Sequence, residues 1–102
     1  MTVERSFSIA ADHPSLAGHF PGNPIVPGAV ILDEVLQAFA AQYPDRNASG
    51  MPVVKFLAPL RPEQTCIVRF LGATAGKLRF ECVREDGQML AQGQLRWVEA
   101  KR

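Results

Sequence analysis

Three residues in the first third of the chain could together carry proton chemistry beside a carbonyl group. His19 supplies an imidazole, the side chain that most readily exchanges a proton near neutral pH. Asp33 supplies a carboxyl group on a predicted helix, where partial burial would favour its protonated form and let it act as an acid. The backbone N–H of Gly28 lies at the predicted helix N-terminus, where it could hold a developing oxyanion. A base, an acid and an oxyanion donor are what abstraction of a proton next to a carbonyl requires.

Each of these residues also has an ordinary structural explanation. A single histidine in a loop is more often a surface residue than a catalytic one, and a glycine at position 28 could simply permit the backbone to enter a helix. Asp33, Glu34 and Gln37 fall within one stripe about 100° wide around the helix, which is also the pattern of a solvated face. The residue types alone therefore support the site as one hypothesis among several.

A stiff segment and a helix must position these residues. Three prolines at three-residue spacing exclude a helix over residues 18–28, so the segment that carries His19 is expected to be extended. A helix is predicted over residues 29–43, because Ala, Leu and Gln favour helix and Pro44 ends it. Apolar residues occupy almost all of its faces, which predicts burial on most sides.

The remaining segments are predicted to form an antiparallel sheet. Alternation of apolar and polar residues, together with turn signals, delimits five strands, over residues 3–10, 53–58, 65–71, 77–84 and 88–98. Asp86 and Gly87 mark a hairpin turn between the last two strands. This order predicts an α+β fold in which a curved antiparallel sheet of about five strands wraps around one long central helix.

Length, charge and cysteine content limit the class of protein. The 102 residues are the size of a single domain, predicted over residues 1–102. A net charge of +1 without any Lys/Arg run argues against nucleic-acid binding. No segment reaches the roughly 18 apolar residues of a membrane span, and the first residues lack a signal-peptide pattern, so a cytoplasmic protein is expected. Cys66 and Cys82 lie on apolar faces of predicted strands, which indicates core side chains.

A longer stretch of sequence resembles a known enzyme family. Residues 18–28 read GHFPGNPIVPG, Asp33 follows after four apolar or small residues, and Gln37 comes four positions later. This pattern is similar to the signature of the 3-hydroxyacyl-[acyl-carrier-protein] dehydratases of the FabZ and FabA type, GHFPGxPxxPG followed by an acid and a glutamine. Residues 55–65, KFLAPLRPEQT, resemble a second pattern of the family.

The resemblance implies a hotdog fold and a site shared between two subunits of a homodimer, with assembly beyond the dimer left open. His19 would remove the C2 proton of a 3-hydroxyacyl thioester, Asp33 of the partner subunit would protonate the departing hydroxyl, and the Gly28 N–H would hold the thioester oxygen. The other residues of the motif would shape the site, namely Phe20, Pro21, Gly22, Pro27 and Gln37.

The resemblance also implies a substrate and a partner. A (3R)-3-hydroxyacyl group would arrive on the phosphopantetheine arm of an acyl carrier protein and leave as a trans-2-enoyl thioester, with no metal or redox cofactor. Lys55, Arg61 and Arg69 are candidate docking charges, because carrier proteins are acidic. Fatty-acid synthesis and polyketide or aryl-polyene synthesis both contain such a step. The short connection over residues 44–51 favours a compact protein that takes short or stiff acyl chains.

Two residues depart from the commonest form of this pattern. Asp33 matches the acid of the FabA type rather than the Glu of the FabZ type, which by itself does not imply double-bond isomerisation. Glu63 stands where the family has glycine, which would allow a different turn there.

Two other functions stay open. A hotdog thioesterase would release a free thiol, and a non-catalytic acyl-carrier-binding partner of another dehydratase would turn over no substrate.

Overall fold

The computed structural model describes residues 3–16 and 24–100. These residues form one α-helix, a short 3-10 turn and five strands. In chain order they are β1 (Val3–Phe7), the 3-10 turn (Pro14–Leu16), α1 (Gly28–Gln42), β2 (Arg46–Phe56), β3 (Cys66–Thr74), β4 (Lys77–Arg84) and β5 (Met89–Glu99). The predicted α+β arrangement of one helix against a five-stranded antiparallel sheet is confirmed.

The two strands that flank the helix in sequence lie at opposite edges of the sheet. The strand order is β1-β3-β4-β5-β2, and every neighbouring pair is antiparallel. Because the chain must cross from one edge to the other between β1 and β2, α1 lies across one face of the sheet. Its Phe39 ring meets the β3 ring of Phe70 edge-on, with centroids 6.2 Å apart. That face forms the core.

Only one side of α1 is buried within the chain. Ile31, Val35 and Phe39, spaced four residues apart, are at most 3% exposed and face the sheet. The opposite side is exposed, including apolar Leu36 and the small residue Ala40. The prediction that the helix would be buried on most sides is therefore wrong for a single chain. Apolar residues on the outer side of α1 are left uncovered.

Strand β2 is longer than the sequence predicted. It begins at Arg46, soon after the helix, whereas the predicted strand covered only residues 53–58. Asn47 to Gly50 are polar or small and have low strand propensity, but pairing with β5 holds them in the sheet, with register shifts on both sides of Gly50. Pro52 is tolerated because β2 is an edge strand.

The two cysteines confirm the prediction of core side chains. Cys66 and Cys82 are both fully buried and both are free thiols. A hydrogen bond with the Cys66 thiol, together with burial, raises the pKa of Cys82. A buried thiol held protonated in this way is a packing group rather than a nucleophile.

Candidate active site

Gly28 is the first residue of α1, as its place in the motif requires. The residue before it, Pro27, has an extended backbone (φ −60°, ψ 145°) and acts as the N-cap. The Pro27 carbonyl accepts the first helical hydrogen bonds, from the N–H groups of Val30 at 3.0 Å and Ile31 at 3.3 Å. The Gly28 N–H therefore precedes the hydrogen-bonded part of the helix, at its positive end, where backbone donors are free for an external oxygen.

An apolar groove opens beside Gly28. The Phe56 ring at the end of β2 lies so close that a Cβ built on Gly28 would be 2.7 Å from its Cζ atom. The groove has a volume of about 320 Å³ and is lined by Gly28 and Ile31 of the helix, by Phe56, and by apolar residues from segments 25–26 and 58–60. The backbone of Gly28 thus forms part of the lining of this apolar groove.

Four of the predicted site residues lie outside the described residues: His19, Phe20, Pro21 and Gly22. The structure describes the chain on both sides of these four residues. The loop between β2 and β3 forms a hydrogen bond with each side. After the gap, the Val26 N–H donates to the Leu60 carbonyl at 2.8 Å. Before the gap, the Ala11 N–H donates to Glu63 Oε1 at 2.8 Å.

Glu63 adopts a left-handed backbone conformation in this loop. Its φ of 69° is a value that glycine adopts without strain and other residues rarely adopt. The loop therefore has a positive φ at this position although the residue is not glycine.

Asp33 lies on the exposed side of α1, so the expected partial burial is not found within a single chain. Its Oδ2 accepts a 2.7 Å hydrogen bond from Gln37 Nε2, one helical turn later. Asp33 lies five positions after Gly28, which places it about 140° around the helix and about 7.5 Å along it. The Asp33 side chain of one chain therefore lies away from the Gly28 N–H of the same chain.

The three predicted docking charges differ in their surroundings. Lys55 is exposed on the sheet face that points away from α1. Arg69 is in an ion pair with Glu4, Nε to Oε2 at 2.8 Å. Arg61 is exposed, and its backbone N–H donates to the side chain of Gln64.

Two features of the structure were not predicted from the sequence. Phe56 belongs to the matched segment 55–65, but nothing in the sequence indicated that its ring would lie against Gly28. Cations of β2, β4 and β5 collect on the outer sheet face around Gln92 and Gln94: Lys55, Lys77, Arg79 and Arg96. No ion pair is found for these four among the described residues.

The described residues contain neither a cluster of metal ligands nor a membrane-spanning helix. No group of three or more His, Cys, Asp or Glu side chains within residues 3–16 and 24–100 is arranged to hold a metal ion. Within residues 3–16 and 24–100, no helix combines the length and the apolar character needed to cross a membrane.

Known proteins share both the sequence pattern and the fold of this chain. The family model of the ApeI-like dehydratases, described as ApeI dehydratase, matches residues 1–94. The chain belongs to this family. The resemblance to the 3-hydroxyacyl-[acyl-carrier-protein] dehydratases is confirmed as well, because relatives of that name match most of the chain.

Two FabZ relatives show how similar this ApeI-like chain is in sequence to that type of dehydratase. The 3-hydroxyacyl-[acyl-carrier-protein] dehydratase FabZ of Thermomicrobium roseum is 30% identical over 86% of this chain and 66% of its own length. The FabZ of Wolbachia pipientis is also 30% identical, over 86% of this chain and 68% of its own. The chain thus spans about two thirds of the length of these relatives.

Solved structures confirm the hotdog fold. The dehydratase heterocomplex ApeI:P from Xenorhabdus doucetiae contains a chain similar to this one with a TM-score of 0.77 and 23% identity, covering 96% of this chain and 88% of that chain. The (R)-hydratase from A. caviae has a TM-score of 0.72 at 13% identity, with 98% and 95% covered. A 1,4-dihydroxy-2-naphthoyl-CoA thioesterase from Synechocystis shares the fold too, with a TM-score of 0.69 at 17% identity over 96% of this chain and 81% of that chain.

Proposed function

We propose that this ApeI-like chain dehydrates a (3R)-3-hydroxyacyl thioester, carried on an acyl carrier protein, to the trans-2-enoyl thioester. The observation that carries the proposal is that Gly28, the first residue of α1, lines an apolar groove. An acyl thioester has this character, since a polar carbonyl is attached to a hydrocarbon chain. Membership of a dehydratase family supports elimination of water as the reaction.

The proposed reaction balances with the three motif residues. His19 takes the proton from C2, and the electron pair of that C–H bond shifts toward the thioester carbonyl, whose oxygen gains negative charge. The Gly28 N–H stabilises that charge. The C3–O bond then breaks, Asp33 donates a proton to the departing hydroxyl, and water leaves as the C2–C3 double bond forms. Solvent then takes the proton from His19 and returns one to Asp33, which restores both groups for the next turnover. No electron is exchanged with another molecule, so the proposal includes no redox cofactor.

The groove beside Gly28 is proposed to take the acyl chain. Its volume of about 320 Å³ lies at the lower end of the range for small-molecule pockets. The Phe56 ring forms one wall next to the helix N-terminus. A groove of this size suits a short or stiff acyl chain, in a fatty-acid, polyketide or aryl-polyene pathway.

A second chain is proposed to complete the site. In one chain the Asp33 side chain lies on the exposed side of α1, about 7.5 Å along the helix from Gly28, so the acid near Gly28 is proposed to come from a second chain. Strand β2 is a sheet edge with unpaired backbone groups, which a second copy can pair with. Several large apolar residues are exposed in the single chain and are available for contact with a second copy: Leu36, Val53, Phe56, Leu57 and Val98. A homodimer with two shared sites is therefore proposed.

The outer sheet face is proposed as the place where the carrier protein docks. Lys55 and Arg79 border a shallow depression with Gln92 and Gln94, and no ion pair holds either cation within the described part of the chain. Arg69 is a weaker candidate, because Glu4 already neutralises it. An acidic carrier protein would be attracted to such a face.

Turnover of a short 3-hydroxyacyl pantetheine thioester tests the reaction. The wild-type protein is expected to produce enoyl absorbance and a mass loss of one water, and His19→Ala is expected to abolish both while the fold is kept. The other histidine provides a matched control, since His13→Gln should retain turnover. Release of free thiol without enoyl product would identify a thioesterase. A folded protein that turns over no chain length would instead be a carrier-binding partner of another dehydratase.

A further inference from the structure

The floor of the apolar groove beside Gly28 is fixed by the core. Val26, Ile31 and Leu60 form this floor and are at most 3% exposed. The Val26 N–H donates to the Leu60 carbonyl at 2.8 Å, so the two chain segments that meet at the floor are joined directly. Close packing of this kind leaves buried side chains little freedom to move. The floor of the groove therefore keeps its shape.

Phe56 is the part of the groove lining that can move. It has the largest side chain of the lining and is 50% exposed. Its backbone is held, because Phe56 is paired with Ala91 of β5 and the next residue, Leu57, donates its N–H to the Leu90 carbonyl at 2.8 Å. The ring can therefore change rotamer without disturbing the sheet.

The Phe56 ring lies where a bound acyl group would begin. A Cβ built on Gly28 would be 2.7 Å from Cζ of the ring and 3.1 Å from both Cε atoms, so no further carbon atom fits between them. An acyl group whose thioester oxygen is held at the Gly28 N–H therefore meets the ring within its first carbons. With the ring in this position the groove measures about 320 Å³, and displacement of the ring would add the space that it vacates.

We propose that Phe56 is a specificity-determining residue, whose ring limits the length of the acyl group that the groove accepts. This inference rests on the proposed function, because it takes the groove as the acyl site. Each methylene that an apolar pocket accepts or rejects changes the relative rate about tenfold or more. A ring that takes the place of several methylenes is therefore enough to separate short substrates from longer ones.

Two substitutions change the ring in opposite directions. Phe56→Ala removes it and Phe56→Trp enlarges it, and both variants are expected to fold because the side chain is half-exposed. Leu57→Ala is the matched control, since Leu57 is the next residue and 44% exposed but lies outside the groove lining among the described residues. Hydroxyacyl pantetheine thioesters of four, six and eight carbons are compared by kcat/KM, and saturated acyl pantetheine thioesters of the same lengths by Kd.

Phe56→Ala is expected to raise the kcat/KM of the eight-carbon substrate, relative to the four-carbon substrate, at least tenfold. Phe56→Trp should lower the same ratio several-fold, and Leu57→Ala should leave it within about twofold of wild type. An unchanged ratio in Phe56→Ala overturns the inference. An equal rise in Leu57→Ala overturns it as well, because the effect would then come from a general loss of apolar surface.

Binding separates this inference from the proposed reaction. If the wild-type protein binds the saturated thioesters but turns over no hydroxyacyl substrate, the reaction is refuted, and the ratio of Kd values then decides the role of Phe56 by the same criteria. If turnover occurs but the chain-length ratio stays constant in Phe56→Ala, the role of Phe56 is refuted and the reaction stands. A protein that binds no acyl thioester refutes both.

Discussion

The Phe56 ring occupies the space into which any side chain at position 28 would project. A Cβ on Gly28 would lie 2.7 Å from Phe56 Cζ and 3.1 Å from both Cε atoms. The two residues come from the start of α1 and the end of β2. Their contact makes the backbone of the helix N-terminus one wall of the apolar groove, so the groove and the proposed oxyanion donor depend on each other.

Gly28→Ala is expected to reduce turnover while the protein stays folded. Phe56 is 50% exposed and can swing aside, and the better helix propensity of alanine, worth up to about 1 kcal/mol, offsets the cost of moving the ring. Turnover should fall at least tenfold, because the methyl group and the displaced ring obstruct the donor. Thermal unfolding and the dehydration assay measure the two effects.

The double variant Gly28→Ala/Phe56→Ala serves as the control for that experiment. Removal of the Phe56 ring relieves the clash. The unfolding temperature of the double variant should therefore not fall below the value expected from adding the effects of the two single variants. Turnover should remain low because the methyl group still covers the backbone. Full recovery of turnover would mean that close approach to the Gly28 N–H is not needed.

Mixing two inactive variants tests the shared site. His19→Ala and Asp33→Asn each inactivate both sites of a homodimer, but a mixed dimer contains one site with both residues intact. Random exchange of subunits should therefore restore about a quarter of wild-type turnover, because half of the dimers are mixed. Activity is measured before and after exchange, with native mass spectrometry to count mixed dimers. Mixed dimers without activity would place the two residues in the same chain's site.

Neutralising the outer sheet face is expected to affect only carrier-bound substrate. Lys55→Gln/Arg79→Gln should raise KM several-fold for a carrier thioester and reduce its dependence on salt, since two attracting charges are removed. KM for the pantetheine thioester should not change. Arg84→Gln is the matched control, because Arg84 is already paired with Asp86 at 2.7 Å. An equal rise in KM for both substrates would locate the effect in the active site.

Gly93 is expected to contribute strongly to stability. A Cβ there would overlap the Val53 carbonyl oxygen and lie 2.8 Å from the Phe80 ring, which is 1% exposed. Gly93→Ala should therefore cost about 3 kcal/mol of unfolding free energy, as overpacking of a core does. Gly50→Ala, also in the β2–β5 pair, meets nothing within 4 Å and should change stability little. Urea unfolding of both variants measures the difference.

Local sequence patterns predicted much of the fold. Residues that favour helix, with Pro44 as the stop, predicted α1 to within a residue of its observed bounds, and alternation predicted β3, β4 and β5 to within a few residues. The first half of β2 was missed because its residues, such as Asn47 and Gly50, have no strand preference of their own. Partners in β5 determine their conformation, and the sequence does not specify which residues pair.

For the site, the sequence specified the chemical groups and the elements that carry them. The motif placed a glycine at the start of a helix and an acid five residues later on it, because helix signals act over a few residues. Tertiary structure alone decided that Phe56 covers Gly28, that Asp33 faces solvent, and that cations from three strands share one face. It also brought Glu63 to Ala11, 52 positions away. Contacts over such separations depend on strand order and register, which arise from packing of the whole chain rather than from any local pattern.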